Sequence, residues 1–140
     1  MKILLPVDGS EYTKRMLAYV AAHHELFGPD HDYTMFTAVP PVPMHAARFV
    51  DRGTLDAYYR EQAEDVLRAV QAYADQQGWK VHTMHAVGEP APEIAALAKA
   101  GKFELIVMGT RGQGALGTMI LGSVANGVLA RCDTPVLLIR

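Results

Sequence analysis

The sequence predicts an α/β fold in which a mostly parallel sheet carries helices on both faces. Short apolar runs bounded by turn residues alternate along the chain with stretches whose apolar residues recur every three or four positions. Strands that alternate with helices in this way form βαβ units with right-handed crossovers. At 140 residues the chain has the usual size of one domain, and half of its residues are hydrophobic. We therefore expect a single domain over residues 1–140.

The elements follow in order along the chain. The pattern predicts strands over residues 2–7, 33–39, 79–87, 103–108 and 136–139. A first helix is expected to be capped by Ser10, with an apolar stripe that reaches Phe27 before Gly28 and Pro29 stop it. Further helices are predicted over residues 54–77, from Pro92 to Gly101 and over residues 123–131, and residues 40–53 are predicted to form an irregular loop.

Charge and cysteine content exclude several classes of protein. Thirteen basic residues against 15 acidic ones give a formal net charge of −2, which favours neither nucleic acid nor an anionic membrane as the main partner. No apolar run approaches the length of about 18 residues that spans a bilayer. Cys132 is the only cysteine, so no internal disulfide forms. We expect a cytoplasmic protein.

A glycine-rich stretch follows the fourth strand. Its glycines lie within fourteen residues, at positions Gly109, Gly112, Gly114, Gly117 and Gly122. Glycine allows a close approach of the backbone to a ligand, and successive N–H groups in such a loop form an anion site. The stretch runs into Gly122 and Ser123 at a predicted helix start, where free N–H donors and the helix dipole favour phosphate. The alternative is a flexible surface loop with Ser123 as an ordinary helix cap.

Three better-known phosphate motifs do not fit this stretch. The segment from Gly112 to Gly117 matches the spacing of a dinucleotide-binding loop, but the only later acid is Asp133, in a turn. No Gly-Lys-Ser/Thr run of a P-loop occurs. A phosphate-accepting receiver domain needs several converging acids with a lysine, whereas Asp8 stands alone at the first strand end.

The sequence shows no pattern typical of a metal site or of catalytic residues. His82 and His85 are three residues apart on a predicted strand and therefore point to opposite faces, and the adjacent His23 and His24 diverge on a helix. We expect no dedicated metal site. No general base, nucleophile or second acid accompanies the glycine-rich stretch, so we predict no catalytic residues.

The pattern resembles the ATP-binding universal stress proteins. Gly109-x-x-Gly112, nine residues and then Gly122-Ser123 is similar to the nucleotide-binding signature of that family. Matching segments run along the whole chain, at residues 3–10, 87–90, 105–109 and 134–139. The resemblance implies an adenine-nucleotide alpha-hydrolase-like sheet with strand order 3-2-1-4-5.

The same resemblance implies where ATP would lie. Pro6, Val7 and Asp8 would meet the adenosine, with Asp8 near the ribose; its alternative role is that of a turn residue bonding its own backbone. The adenine edge would meet Ala38, and Val87 and Gly88 would line the base pocket. The phosphates, with Mg²⁺, would be surrounded by Met108, Gly109, Arg111, Gly112, Gly122, Ser123 and Val124.

Function and assembly also follow from the resemblance as expectations. It implies a nucleotide-dependent regulatory protein of the stress response. Because no general base, nucleophile or second acid accompanies the glycine-rich stretch, we expect at most slow ATP hydrolysis. It also implies a homodimer formed through residues 136–139, an apolar edge strand that would otherwise be exposed. The alternative is a homodimeric interaction module that keeps the same fold without nucleotide. Arg111 is the only cation in the stretch, because residues 113–121 contain no basic residue.

Overall fold

A computed structural model describes residues 1–112 and 120–140 of the chain. Gly114 and Gly117, which belong to the predicted phosphate loop, lie outside the described residues. The strands are β1 (Lys2–Pro6), β2 (Asp32–Val39), β3 (Val81–Val87), β4 (Leu105–Gly109) and β5 (Val136–Ile139). The helices are α1 (Glu11–Ala22), α2 (Met44–Ala47), α3 (Arg52–Gln76), α4 (Pro90–Ala100) and α5 (Ser123–Arg131).

The five strands form one parallel sheet in the order β3-β2-β1-β4-β5. This arrangement confirms the predicted fold class and strand order. β1 lies in the middle of the sheet, with Leu4 opposite Thr34 of β2 and Ile106 of β4. The chain therefore turns to one side after β1 and reaches the other side at β4, which makes the β1/β4 boundary the switch point of the winding.

Two apolar layers cover the sheet. Ile3 and Leu5 of β1 point into a cluster with residues of α1 and α3, whereas Leu4 points into a second cluster with residues of α4 and α5. All three side chains are fully buried. The alternation of side chains along a strand produces this division, and it explains why β1 is apolar on both faces.

The first helix ends earlier than the sequence predicts. α1 stops at Ala22, and the chain continues as a turn in which the Phe27 N–H donates to the His23 carbonyl. His23 Nδ1 lies 2.8 Å from the Tyr19 carbonyl oxygen, the acceptor that a continued helix would need for the His23 N–H. The side chain thus competes with the backbone bond, while Phe27 remains 4% exposed and keeps its predicted place in the core.

The segment after β2 is more regular than predicted. The expected loop contains α2, and α3 begins at Arg52 rather than near residue 54. Asp51 explains the earlier start, because its carboxylate accepts hydrogen bonds from both the N–H and the hydroxyl of Thr54, at 2.8 and 2.9 Å. These bonds to the charged form lower the pKa of Asp51. No helix among the described residues is long and apolar enough to cross a membrane.

The buried phenol of Tyr33 makes stability depend on alkaline pH. Tyr33 is 1% exposed, packs against Trp79 and donates its hydroxyl to the Gly28 carbonyl at 2.9 Å. Burial raises its pKa from 10.0 to about 12. The folded state therefore favours the neutral phenol, and this contribution to stability is complete below pH 10 and is lost as the pH rises through 12.

The Tyr33→Phe variant tests this dependence. It loses one hydrogen bond, so we expect the free energy of unfolding at pH 9 to fall by about 1 kcal/mol. Above pH 10 the unfolding free energy of the parent should fall more steeply than that of Tyr33→Phe. The difference in unfolding free energy between the two proteins therefore becomes smaller. Urea denaturation at pH steps from 9 to 12 measures both curves. Parallel curves would contradict a titration of Tyr33 in this range.

Candidate functional site

A cavity of about 360 Å³ opens at the carboxyl ends of β1, β2 and β4, at the switch point of the sheet. It gathers most of the residues proposed from the sequence. Those that line it are Pro6, Val7, Asp8, Ala38, Met108, Gly109, Arg111, Gly112, Gly122, Ser123 and Val124. Its volume lies within the range of about 300–1,000 Å³ that is usual for small-molecule sites.

The turn after β1 fixes the Asp8 carboxylate in the cavity wall. Asp8 Oδ1 accepts hydrogen bonds from the Ser10 N–H at 2.9 Å and from the Thr13 hydroxyl at 2.8 Å. The Asp8 N–H donates in turn to Thr13 Oγ1, and Ser10 caps α1 as predicted. Asp8 is therefore a turn residue that bonds its own backbone, and it also lines the cavity.

Two glycines, one at the end of β4 and one three residues later, allow the chain to pass close to α1 and to Asp8. A Cβ atom at Gly109 would lie 2.9 Å from Tyr12 Cβ and 3.1 Å from the Arg111 carbonyl oxygen. At Gly112 an added Cβ would collide with Asp8 Oδ2. The spacing Gly109-x-x-Gly112 thus brings the backbone and the Asp8 carboxylate into direct contact at one edge of the cavity.

Arg111 brings a positive charge to the same edge. It lines the cavity, and its guanidinium carbon lies 4.9 Å from the centre of the Tyr12 ring. A guanidinium stacked on an aromatic ring is pre-organised, and its planar donors suit phosphate oxygens.

The start of α5 supplies backbone donors. The Gly122 N–H donates to the Thr110 carbonyl at 2.7 Å, and the Asn126 N–H makes the first helical bond, to the Gly122 carbonyl. The N–H groups of Ser123, Val124 and Ala125 therefore have no acceptor within the helix. All three residues line the cavity, so the positive end of the helix dipole faces it.

The N-cap of α5 differs from one sequence interpretation. Gly122 occupies the N-cap position without a side-chain hydrogen bond, and Ser123 is the first helical residue. The alternative in which Ser123 caps the helix is therefore wrong, because capping requires the residue before the first helical position. Ser123 is an exposed residue at the helix start, beside the N–H groups that have no acceptor within the helix.

The other part of the cavity is apolar and includes residues that the sequence did not indicate. α3 contributes Gln62 and Val66, and α4 contributes Pro90 and Ile94. Further lining residues missed from the sequence are Thr13, Phe36, Thr37, Val39, Pro40, Thr110 and Ala125. Gln62 and Val66 lie within the helix predicted over residues 54–77, but no local pattern relates that helix to the strand ends.

Val87 and Gly88 do not line this cavity. The Gly88 N–H donates to the Val39 carbonyl at 2.9 Å, which extends the β2–β3 pairing beyond the strand. Val87 is 43% exposed. Pro90, two residues further along, reaches the cavity wall instead. Within the described residues, no group of three or more His, Cys, Asp or Glu side chains could hold a metal ion.

The model of the universal stress protein family matches residues 1–140. The chain belongs to the universal stress protein family. A family member from Thermus aquaticus, the universal stress protein in the QAH/OAS sulfhydrylase 3' region, is 35% identical over 138 residues, covering 99% of this chain and 97% of that protein.

Solved structures share the architecture. That of the Methanocaldococcus jannaschii protein MJ0577 matches with a TM-score of 0.81 at 26% identity, covering 99% of this chain and 94% of that one. A universal stress protein solved in complex with cAMP has a TM-score of 0.72 at 20% identity, covering 100% of this chain and 97% of that one. The second likeness establishes a common fold.

The buried hydroxyl of Thr110, in the segment after β4, allows a test of how that segment contributes to stability. Its side chain is 6% exposed, and its hydroxyl has no hydrogen-bond partner in the described part of the chain. An unpaired buried hydroxyl costs free energy that an apolar group of the same shape avoids. In the absence of nucleotide, Thr110→Val should raise the free energy of unfolding by about 1 kcal/mol. Thermal unfolding measures the change, and a destabilised variant would show that the hydroxyl is needed.

Proposed function

We propose that this protein binds ATP in the cavity at the strand ends and uses the bound nucleotide to regulate its own shape or partners. The observation that carries the proposal is the set of N–H groups at the start of α5 that have no acceptor within the helix and line the same cavity as Gly109 and Gly112. Such a set of donors is suited to an anion, and phosphate is the anion that helix starts of this kind hold.

The two parts of the cavity match the two parts of a nucleotide. Arg111, Gly112 and the start of α5 would surround the triphosphate. Asp8, between the loop and α1, would face the ribose, because a carboxylate accepts hydrogen bonds from hydroxyl groups. Pro6, Val7, Ala38 and Met108 would contact the adenosine. The solved relative with cAMP indicates that this fold accommodates an adenine nucleotide.

Magnesium would arrive with the triphosphate. Mg²⁺ prefers oxygen ligands and retains several waters, so phosphate oxygens and water satisfy most of its coordination. In this proposal Asp8 is the carboxylate nearest to that shell, while Val87 and Gly88 remain outside the cavity wall and would take part only if β3 moved.

Regulation fits the cavity better than fast turnover. The described lining residues include no histidine, cysteine or lysine, and Oδ1 of Asp8 already accepts two hydrogen bonds. We therefore propose at most slow ATP hydrolysis. A turnover number above about one per second, an ordinary enzyme value, would contradict this part of the proposal.

A homodimer through β5 is part of the proposal. β5 pairs with β4 on one side and ends the described sheet on the other, and its residues Val136, Leu137 and Leu138 are partly exposed. An apolar edge of this kind is suited to pairing with a second chain. Light scattering at micromolar concentration should give twice the chain mass, and a monomer mass would refute the dimer.

Thermal unfolding with MgATP tests the binding proposal. A ligand at 100 times its dissociation constant stabilises the native state by about 2.7 kcal/mol. For a domain of this size the melting temperature should then rise by about 5–10 °C. An unchanged melting temperature at millimolar MgATP would refute ATP binding and would favour the nucleotide-independent interaction module.

A further inference from the structure

Two polar side chains stand among apolar ones where α3 meets the cavity. They are Thr37 of β2 and Gln62 of α3, and both line the cavity together with Val66. Thr37 is 4% exposed and lies two residues beyond Met35 on the strand face that packs against α3. Neither the Thr37 hydroxyl nor the Gln62 amide has a hydrogen bond to a residue within 1–112 or 120–140.

The rotation of α3 fixes Gln62 toward the cavity. Ala63, Leu67, Val70 and Ala74 are buried and form the stripe by which the helix packs on the sheet. Gln62 lies beside this stripe, one turn before Val66 and on the same side of the helix. Core packing therefore sets where Gln62 leaves the helix, and its exposed amide makes no hydrogen bond to the part of the chain that the structure describes.

The buried Thr37 hydroxyl needs a partner, because leaving a buried polar group unpaired costs free energy. Gln62 is an exposed residue of the same wall, so its amide can exchange bound water for a ligand. A carboxamide offers one acceptor and one donor group side by side. Adenine presents the complementary pair, its amino group beside a ring nitrogen, and glutamine pairs with adenine through both atoms in nucleic-acid recognition.

We propose that the side-chain amide of Gln62 forms hydrogen bonds with the edge of the nucleotide base and gives the protein its preference for adenine. The Thr37 hydroxyl would provide a second polar contact. The inference rests on the proposed nucleotide binding and adds the residue that determines the base. It places base selection on a side chain of α3, in addition to the main-chain contact proposed at Ala38.

The chemistry of glutamate predicts a reversal of that preference. A glutamate at position 62 would present two acceptors, which repel the ring nitrogen of adenine. Guanine offers two adjacent donors, N1–H and the N2 amino group, which match a carboxylate. The Gln62→Glu variant should therefore favour guanine, whereas Gln62→Leu should lose discrimination between the two bases.

Calorimetric titration of the full chain with MgATP and with MgGTP tests the assignment. We expect the parent to prefer ATP, Gln62→Leu to weaken ATP binding about tenfold, and Gln62→Glu to shift the ATP-to-GTP ratio at least about tenfold toward GTP. The ratio of the ATP and GTP affinities does not depend on repulsion between the new carboxylate and the triphosphate, because both ligands carry the same triphosphate. Gln76→Glu makes the same change at an exposed position of α3 that does not line the cavity, and it should leave both affinities unchanged.

The outcomes separate this inference from the proposal beneath it. If ATP binds but both Gln62 variants keep the parent ratio, Gln62 does not read the base and the nucleotide site stands. If the parent binds ATP and GTP equally, base selection by Gln62 is also refuted. If the parent binds neither, the proposed function fails and this inference fails with it.

Thr37→Val provides a second probe, and it should weaken ATP binding about threefold through the loss of one neutral hydrogen bond.

Discussion

Substitution of Gly122 by valine is expected to weaken ATP binding by more than about 100-fold, because two or more hydrogen bonds to a charged phosphate would be lost. A Cβ atom at Gly122 would lie 3.2 Å from Arg111 Cα and 3.3 Å from the Thr110 carbonyl oxygen. Both neighbours are backbone atoms, so the strain moves the start of α5 rather than a flexible side chain. The donors of Ser123 and Val124 would then no longer converge on the cavity.

Gly28→Val is the matched control for this variant. A Cβ atom at Gly28 lies 3.4 Å from the His24 carbonyl oxygen, an ordinary contact, and Gly28 does not line the cavity. Isothermal titration calorimetry should show parent-like ATP affinity for Gly28→Val. Equal affinities of the two variants would mean that the start of α5 does not hold the phosphates, provided that circular dichroism shows both to be folded.

Replacement of Arg111 by methionine should weaken ATP binding by about 10- to 100-fold and leave adenosine binding nearly unchanged, because a charge-assisted bond contributes about 1.5–3 kcal/mol. The guanidinium is the cation that the described cavity wall contributes to the phosphate end. Methionine keeps an unbranched apolar chain against the Tyr12 ring, so local packing should survive.

Arg15→Met controls for the loss of a cation near Tyr12. The Arg15 guanidinium also lies over the Tyr12 ring, at 5.3 Å, but Arg15 does not line the cavity. Competition titrations with ATP and adenosine should therefore separate the two arginines. If Arg111→Met weakens both ligands equally, Arg111 acts through the structure of the loop and not through the phosphates.

The sequence is informative wherever a short-range pattern determines the structure. The apolar run before Asp8 predicts a buried strand, and Ser10 predicts the start of α1; both are confirmed. The strand order could not be obtained from these patterns, since periodicity identifies strands without stating their neighbours. It followed from the family resemblance, and the sheet confirms it.

Long-range contacts account for what the sequence did not indicate. Gln62 lies 47 residues before Gly109 and 60 residues before Gly122, and only the packing of α3 on β2 brings it to the cavity. Likewise, the glycine spacing indicated a phosphate loop, but the reason for glycine at position 109 is the passage of Tyr12, which no local pattern reveals. The early end of α1 depends on a single His23 ring contact with Tyr19.

The nucleotide site is tested most directly by titrating ¹⁵N-labelled protein with MgATP and following the backbone amide signals. We expect the largest shifts at Gly112, Ser123, Val124 and Ala125, smaller shifts at Ala38 and Val39, and none at the opposite end of the sheet, near Asp32. An absence of shifts at millimolar MgATP, or shifts confined to residues outside the cavity, would contradict a nucleotide site at the switch point of the sheet.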